Sequence, residues 1–423
     1  MHTTQLGASQ IVCQVLGGRN LNQALEAYLR SGPELSLQQR AALRDLSFGT
    51  LRFYLRLVWL LDKLLHKPLK DMQLRCLLLV ALYQLLYGKS AHHAIVDHAV
   101  RAARKCNVAA GGLANAVLRN FLRNRDALLL AADQDEEAHY AYPQWWLNAI
   151  RSQYGAAADA ILLAGNQHPP MTLRVNRRRI STEDYLALLA QHEIQADIIE
   201  PGALLLVRPL PVEKLPGFFD GLVSVQDAGA QHAAHLLDVR DGMRVLDACA
   251  APGGKSMHLL ELAQIDLLAL DKDAQRLEKV RENMGRLQLQ AELRTGDASR
   301  PEDWWDGRPF QRILADAPCS ASGVVRRHPD IKQLRRPEDI EGFAKQQLQI
   351  LSALWQLLAS DGKLLYVTCS VFARENQQVI DEFRRRHKDA RSVTLPVPDM
   401  SEGQLLPDEQ HDGFYYALLH KTV

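Results

Sequence analysis

From Arg244 onward the sequence keeps one rhythm: a short apolar strand, a polar turn, an amphipathic helix, and then the same again. Strands are expected at Arg244–Asp247, Asp266–Leu270, Glu292–Arg294, Arg312–Ala315, Lys363–Thr368 and Phe414–Leu419, with helices over 255–263, 273–287, 337–359 and 373–387. Strands alternating with helices of this length predict a parallel α/β sheet covered on both faces. Ligands of such sheets bind outside the carboxyl ends of the strands, so the loops there are the place to look for function.

The first 125 residues carry a different pattern. Apolar residues recur at helical spacing through Ile11–Leu16, Leu43–Leu51, Leu57–Leu65 and Leu77–Leu86, punctuated by Pro33, Pro68 and Gly111–Gly112. A bundle of six or seven helices is expected, followed by an acidic then aromatic linker from Asp126 to Trp146. Between the two patterns lie strand-like runs at Met171–Asn176 and Ala203–Val207 among helical stretches. The expected organisation is an all-α domain over 1–130, a linker and small α+β section over 131–240, and a Rossmann-like domain over 241–423.

Charge follows the same division. The chain carries 50 Lys+Arg against 49 Asp+Glu, a net +1, which on its face argues against a nucleic-acid partner. Residues 1–130 alone hold 17 Lys+Arg against 7 Asp+Glu, leaving 33 against 42 for the remainder. A basic front joined to an acidic back implies two modules with different partners. The longest apolar run, Cys76–Tyr83, ends at Gln84, far short of a bilayer span, and Met1 to Gly18 does not read as a secretory signal. The six cysteines form no CxxC pair and no Cys/His ligand spacing, so neither a metal site nor a disulfide framework is expected. A cytoplasmic monomer with reduced thiols and no membrane partner is the expectation.

Three motifs fall at expected strand ends. The run Asp247-Ala-Cys-Ala-Ala-Pro-Gly-Gly-Lys255 joins a strand to a helix, and its small residues let backbone N–H groups approach a ligand. A tight strand-to-helix turn is the plainer reading of the glycine pair alone. Asp271 ends the second strand, where a carboxylate accepts from ribose hydroxyls, and Asp297 follows the third, placed for an adenine or amino donor. The spacing is wrong for GxGxxG, which disfavours a dinucleotide oxidoreductase. Cys319 follows the fourth strand in Asp316-Ala-Pro-Cys-Ser-Ala-Ser-Gly323, and Cys369 follows the fifth in Thr368-Cys-Ser370. A lone cysteine at a strand end is most often a small buried hydrophobe. Two of them ending neighbouring strands converge over one rim, where a thiolate attacks electrophilic carbon.

The runs DACAAPGGK, DAPCSASGV and TCSV…EN resemble those of the RNA 5-methylcytosine methyltransferases that use S-adenosylmethionine. The helix-rich front resembles the NusB-like domain that precedes the catalytic domain in the bacterial RsmB/Fmu-type 16S ribosomal RNA cytosine methyltransferases. Val225–Ala228 and Arg326–Lys332 also resemble that subgroup. Departures are Ser256 and Ser322 where Thr is frequent, and Ala373 where Pro often precedes Glu375-Asn376.

The resemblance implies that Cys369 is the nucleophile, that Cys319 assists product release, and that Asp316 hydrogen-bonds the cytosine edge with Lys255 beside it. It implies that the loop Cys249, Ala250, Ala251, Pro252, Gly253, Gly254 and Lys255 passes around the methionine part of S-adenosylmethionine. Asp271 would hold the ribose, Asp297 the adenine side, and Asp316 the methionine amino group. The basic stretch with Arg326, Arg327, Lys332, Arg335 and Arg336 is expected to meet RNA phosphates, with Arg174, Arg177, Arg178 and Arg179 extending the track. The substrate implied is a cytosine of 16S ribosomal RNA. The alternatives are a transfer RNA cytosine and a non-catalytic RNA-binding assembly or antitermination factor.

Overall fold

The computed structural model describes residues 2–397 and 400–422. The chain divides into two compact units, Met1–Gln167 with Val325–Arg336, and His168–Val324 with Pro337–Val423.

The first unit is helical. Seven helices (His2–Leu16, Leu21–Ser31, Leu37–Arg52, Tyr54–Leu64, Met72–Tyr87, His92–Cys106 and Ala110–Arg123) occupy the sequence up to Arg123. At its centre is Met72–Tyr87, whose residues Cys76 to Leu82 are all fully buried. A helix apolar on every side is an interior helix, which accounts for the long apolar run. No helix among the described residues is long and apolar enough to cross a membrane. The expected linker from Asp126 to Trp146 is itself helical, with Arg125–Ala132, Glu136–Tyr140 and the start of Gln144–Tyr154. Its acids serve those helices: Asp135 accepts the Ala138 amide as an N-cap, and Asp133 pairs with Arg56 at 2.7 Å.

The second unit holds two sheets. β1 (Thr172–Val175), β2 (Ala196–Glu200), β3 (Ala203–Leu206) and β4 (Val223–Val225) form an antiparallel sheet in the order β2-β3-β1-β4. β2 and β4 carry no clear alternation, and sequence periodicity missed both. The larger, eight-stranded sheet contains β5 (Arg244–Asp247), β6 (Asp266–Asp271), β7 (Glu292–Thr295), β8 (Phe310–Asp316), β9 (Leu358–Thr368), β10 (Ala390–Val393), β11 (Gln404–Leu405) and β12 (Phe414–Lys421). Its order is β10-β12-β9-β8-β5-β6-β7, with β11 beside β12.

β5 through β9 pair in parallel, as the helical crossovers require. The expected parallel sheet carries an antiparallel edge. β12 runs antiparallel to β9, and β10 and β11 run antiparallel to β12. The strand order reverses between β5 and β8, the switch point where a ligand crevice opens at the carboxyl ends.

Candidate active site

The rim over β5, β6, β8 and β9 gathers the motif residues. After β5, the chain turns through Ala248–Gly253 into the helix Gly254–Leu262. Gly253 has φ +97°, and no side chain caps the helix there. A Cβ at Gly253 would come within 3.1 Å of Val280, so both conformation and space call for glycine. Asp271, at the end of β6, is 3% exposed. One of its carboxylate oxygens accepts the Ala251 amide at 3.1 Å and the other the Asp273 amide at 3.0 Å. A carboxylate has about four acceptor positions, so Asp271 both shapes the loop and keeps lone pairs for a hydroxyl donor.

Arg276 donates to the Ala251 carbonyl and Asn283 to that of Pro252, closing the loop from the other side. Asp297, after β7, is exposed. Its carboxyl is held below the usual range by the Ser299 hydroxyl and then the Ser299 amide. Glycines with acids at successive strand ends make a donor and acceptor set that fits a nucleoside.

Asp247 lies under the loop, fully buried and hydrogen-bonded by Ser256 Oγ at 2.6 Å. Burial pushes its carboxyl up to about 7, with the Ser256 bond opposing and the Asp316 charge reinforcing the shift. Burial also raises the thiol of Cys249, and the nearby acids add to it, which keeps that thiol protonated. Lys255 Nζ lies 2.6 Å from Asp316 Oδ2 and 5.7 Å from the centre of the Phe414 ring. Burial works against the Lys255 charge, but Asp316 outweighs it and Cys369 adds to it, so the ammonium is held above its ordinary range.

β8 and β9 set Asp316 against Val367, so the next residues of each strand leave the sheet side by side. The sulfurs of Cys319 and Cys369 are 3.4 Å apart. The contact with Cys369, followed by burial, raises the Cys319 thiol well above its ordinary range.

Behind the sulfurs sits a residue that reading the sequence assigned no role. Glu375 is fully buried and accepts the Ser320 amide at 2.7 Å, the Ser320 hydroxyl at 2.5 Å and the Ser370 hydroxyl at 2.6 Å. Gln347 donates to it at 3.4 Å and to the Pro318 carbonyl at 2.9 Å. Asn376 Nδ2 donates to the Ser370 carbonyl, and Thr368 Oγ1 donates to Asn376. The Glu-Asn pair thereby joins the residues flanking both cysteines. Its proximity to TCS in sequence was the available signal.

The basic stretch is not what its charges suggest. Arg326 and Lys332 are 1% and 2% exposed, which corrects their assignment as phosphate contacts. Lys332 Nζ donates to the Arg52 carbonyl and to Asn166, and stands 3.7 Å from the centre of the Tyr142 ring. Burial, and then the charge of Arg52, pushes its ammonium well below the ordinary range. Arg52 in turn donates to the Arg326 carbonyl at 2.8 Å, and Asp330 accepts from Asn20 and the Leu21 amide. Residues 325–336 are thus a structural part of the helical unit. Arg336 is exposed, and Arg327 and Arg335 are half-buried.

In the second unit, Arg174 is also buried, and Arg179 donates to the Asp220 and Leu287 carbonyls, which corrects any role for Arg174 in an RNA track. No group of acids, histidines or cysteines fit to hold a metal is found among the described residues.

A glycine turn at the switch point of a Rossmann-like sheet, with acids at successive strand ends, places the chain in the class of Rossmann-like methyltransferases. Family models agree region by region: 16S rRNA methyltransferase RsmB/F over residues 234–420, an RsmF/B-like ferredoxin-like domain over 142–213 and the NusB family over 2–123. The ribosomal RNA small subunit methyltransferase B of Pseudomonas syringae is 44% identical across 99% of this chain and 97% of its own length. That of Pseudomonas putida is 45% identical across 99% and 98%. The crystal structure of PH0851 superposes with a TM-score of 0.79 over 99% of each chain at 23% identity, a likeness of fold. The chain belongs to the RsmB/F family of 16S rRNA methyltransferases.

Proposed function

We propose that the protein transfers a methyl group from S-adenosylmethionine to carbon 5 of a cytosine in 16S ribosomal RNA through a covalent adduct with Cys369. The observation that carries this reading is the 3.4 Å pairing of Cys319 and Cys369 beside the Lys255–Asp316 ion pair. The named relatives act on small-subunit ribosomal RNA, and near full-length identity of 44–45% supports the same substrate here.

S-adenosylmethionine supplies an electrophilic sulfonium methyl group. Asp271 and Asp297 would hold its nucleoside, and the glycine loop Cys249–Lys255 would line its methionine part. Cytosine carbon 5 is a weak nucleophile. Cys369 Sγ bonds to carbon 6, and the displaced electron pair makes carbon 5 an enamine carbon able to take the methyl. As carbon 6 is attacked, N3 of the ring takes up a proton, and the Asp316 carboxylate accepts from that protonated edge, a placement most effective away from bulk water. Lys255 holds that carboxylate in position, with Nζ 2.6 Å from Asp316 Oδ2. Once carbon 5 is methylated, its remaining proton passes to water, the carbon 5–carbon 6 double bond re-forms, and the Cys369–carbon 6 bond breaks, with Cys319 assisting this release.

The target base must leave its stack for Cys369 to reach carbon 6. Arg327, Arg335 and Arg336 are the members of the basic stretch that are not buried, and they are the ones assigned to RNA phosphates. Bisulfite sequencing of total RNA from a strain lacking the gene tests the reading. Loss of one 5-methylcytosine in 16S RNA is the expected result. Loss at a transfer RNA instead would move the substrate, and no loss would overturn the chemistry.

A further inference from the structure

Arg174 stands in a run of four basic residues among which the sequence suggests an RNA contact, yet it is 2% exposed and spends its donors elsewhere. It projects from β1 of the small antiparallel sheet toward the helix Gly254–Leu262. Its Nε and one terminal nitrogen form a fork on Glu261, at 2.8 and 2.6 Å. Its other terminal nitrogen donates to Gln226 Oε1 at 2.6 Å and to the carbonyl of Gly254 at 2.8 Å. Side chains on a helix lean toward its N-terminus, so Glu261 reaches back and one guanidinium grips the helix both at its first residue and two turns later.

Gly254 is the second glycine of the loop and the first residue of a helix that no side chain caps. Its carbonyl accepts from Arg174 in addition to its place in the helix, which fixes the roll of the first turn. On one side of Gly254 is Gly253, at the strained turn, and on the other is Lys255, whose Nζ must meet Asp316. A guanidinium with a rigid fork is suited to this, since an ammonium cannot hold a bidentate carboxylate and a carbonyl in fixed relation.

We propose that Arg174 is a positioning residue for the cofactor loop, acting through the Gly254 carbonyl and Glu261, and makes no contact with RNA. This rests on the assignment of the Cys249–Lys255 loop to S-adenosylmethionine. The geometry makes the small sheet a splint for the cofactor loop: β1 carries the arginine, and Gln226, just after β4, completes its shell.

The test measures S-adenosylhomocysteine binding by calorimetry and 16S RNA fragment binding by filter retention across a salt series, on the full-length chain. Arg174→Lys keeps the charge and loses the fork. The double variant Arg174→Met with Glu261→Met removes both charges together, so no unpaired charge is left buried. Both variants are expected to bind S-adenosylhomocysteine about tenfold or more weakly, the effect of losing one charge-assisted hydrogen bond. RNA affinity and its salt dependence are expected to stay at the wild-type value. Cofactor affinity at the wild-type level in both variants overturns the proposal, as does a salt slope reduced by one phosphate contact. Absence of binding by the wild-type protein would instead count against the cofactor assignment itself.

Discussion

Cys319 and Cys369 face each other at 3.4 Å from loops that leave adjacent parallel strands, and Glu375 is hydrogen-bonded to the serine that follows each of them. Adjacent strands lie about 4.8 Å apart, so two side chains leaving at matched register are brought together by the sheet alone. The distance between the sulfurs is then set by the loops, and the loops are set by one buried carboxylate. The two thiols are not equivalent. The contact with Cys369, burial and then the Glu375 charge keep the Cys319 thiol protonated, while Cys369 adds to the charge stabilisation of Lys255.

This asymmetry separates the two single variants. Cys369→Ala is expected to abolish methylation and to give no adduct. Cys319→Ala is expected to attack and methylate once, then remain joined to RNA because release is blocked. Denaturing gels of each variant with radiolabelled 16S RNA read this directly. A stable adduct from Cys369→Ala would reverse the assignment.

Glu375→Gln replaces an acceptor of four donors with a group that brings two donors of its own. The Ser320 and Ser370 hydroxyls lose a charged acceptor, at a cost of about 1–3 kcal/mol. The thermal midpoint should fall by several degrees, and kcat should fall about tenfold or more as the sulfurs lose their fixed separation. RNA affinity should hold, because Glu375 is fully buried. A drop in RNA affinity with unchanged kcat would show that the Glu375 network does not govern the cysteine pair.

The loops of this site were legible in sequence because each is a local run of residues at a strand end. Pairing was not. The register that sets Asp316 against Val367 joins residues 51 positions apart, and nothing local encodes it. The basic stretch misled for the same reason. Charge is read one residue at a time, whereas burial depends on partners: Lys332 finds its acceptors at Arg52 and Asn166, which lie 280 and 166 residues away. The antiparallel edge of the sheet was not legible, because periodicity reports strands without direction. Arg174 looked like a surface cation because Glu261, its counter-charge, lies 87 residues further on.

Only the exposed members of the basic stretch should change the response to salt. Arg336→Gln is expected to weaken RNA binding and to reduce the slope of log affinity against log salt by about 0.7–0.9, the share of one phosphate. Lys332→Met should leave that slope unchanged. It should destabilise the protein by about 1–3 kcal/mol, because the Arg52 carbonyl and Asn166 lose their donor. Filter binding from low to moderate salt, with denaturant unfolding of the same samples, checks both. A reduced slope in Lys332→Met would restore that residue to the RNA surface.

Asp247 gives the fold a pH dependence opposite to that of most acids. Burial raises its carboxyl to about 7 in the folded chain, against 3.8 as its ordinary value. Below about 4 the carboxyl is protonated in both states and carries no penalty. Between about 4 and about 7 the unfolded chain releases the proton and the folded chain keeps it, so stability falls as pH rises. Above about 7 the loss is complete, because the folded state must then hold a buried carboxylate. Asp247→Asn keeps the shape and an oxygen for Ser256 while removing the titration. The stability of the variant relative to wild type should therefore rise from pH 4 to 7 and level off above it. Denaturant midpoints at constant ionic strength provide the comparison. A difference independent of pH would mean that Asp247 is ionised throughout, held so by the Ser256 hydroxyl and the Lys255 ammonium.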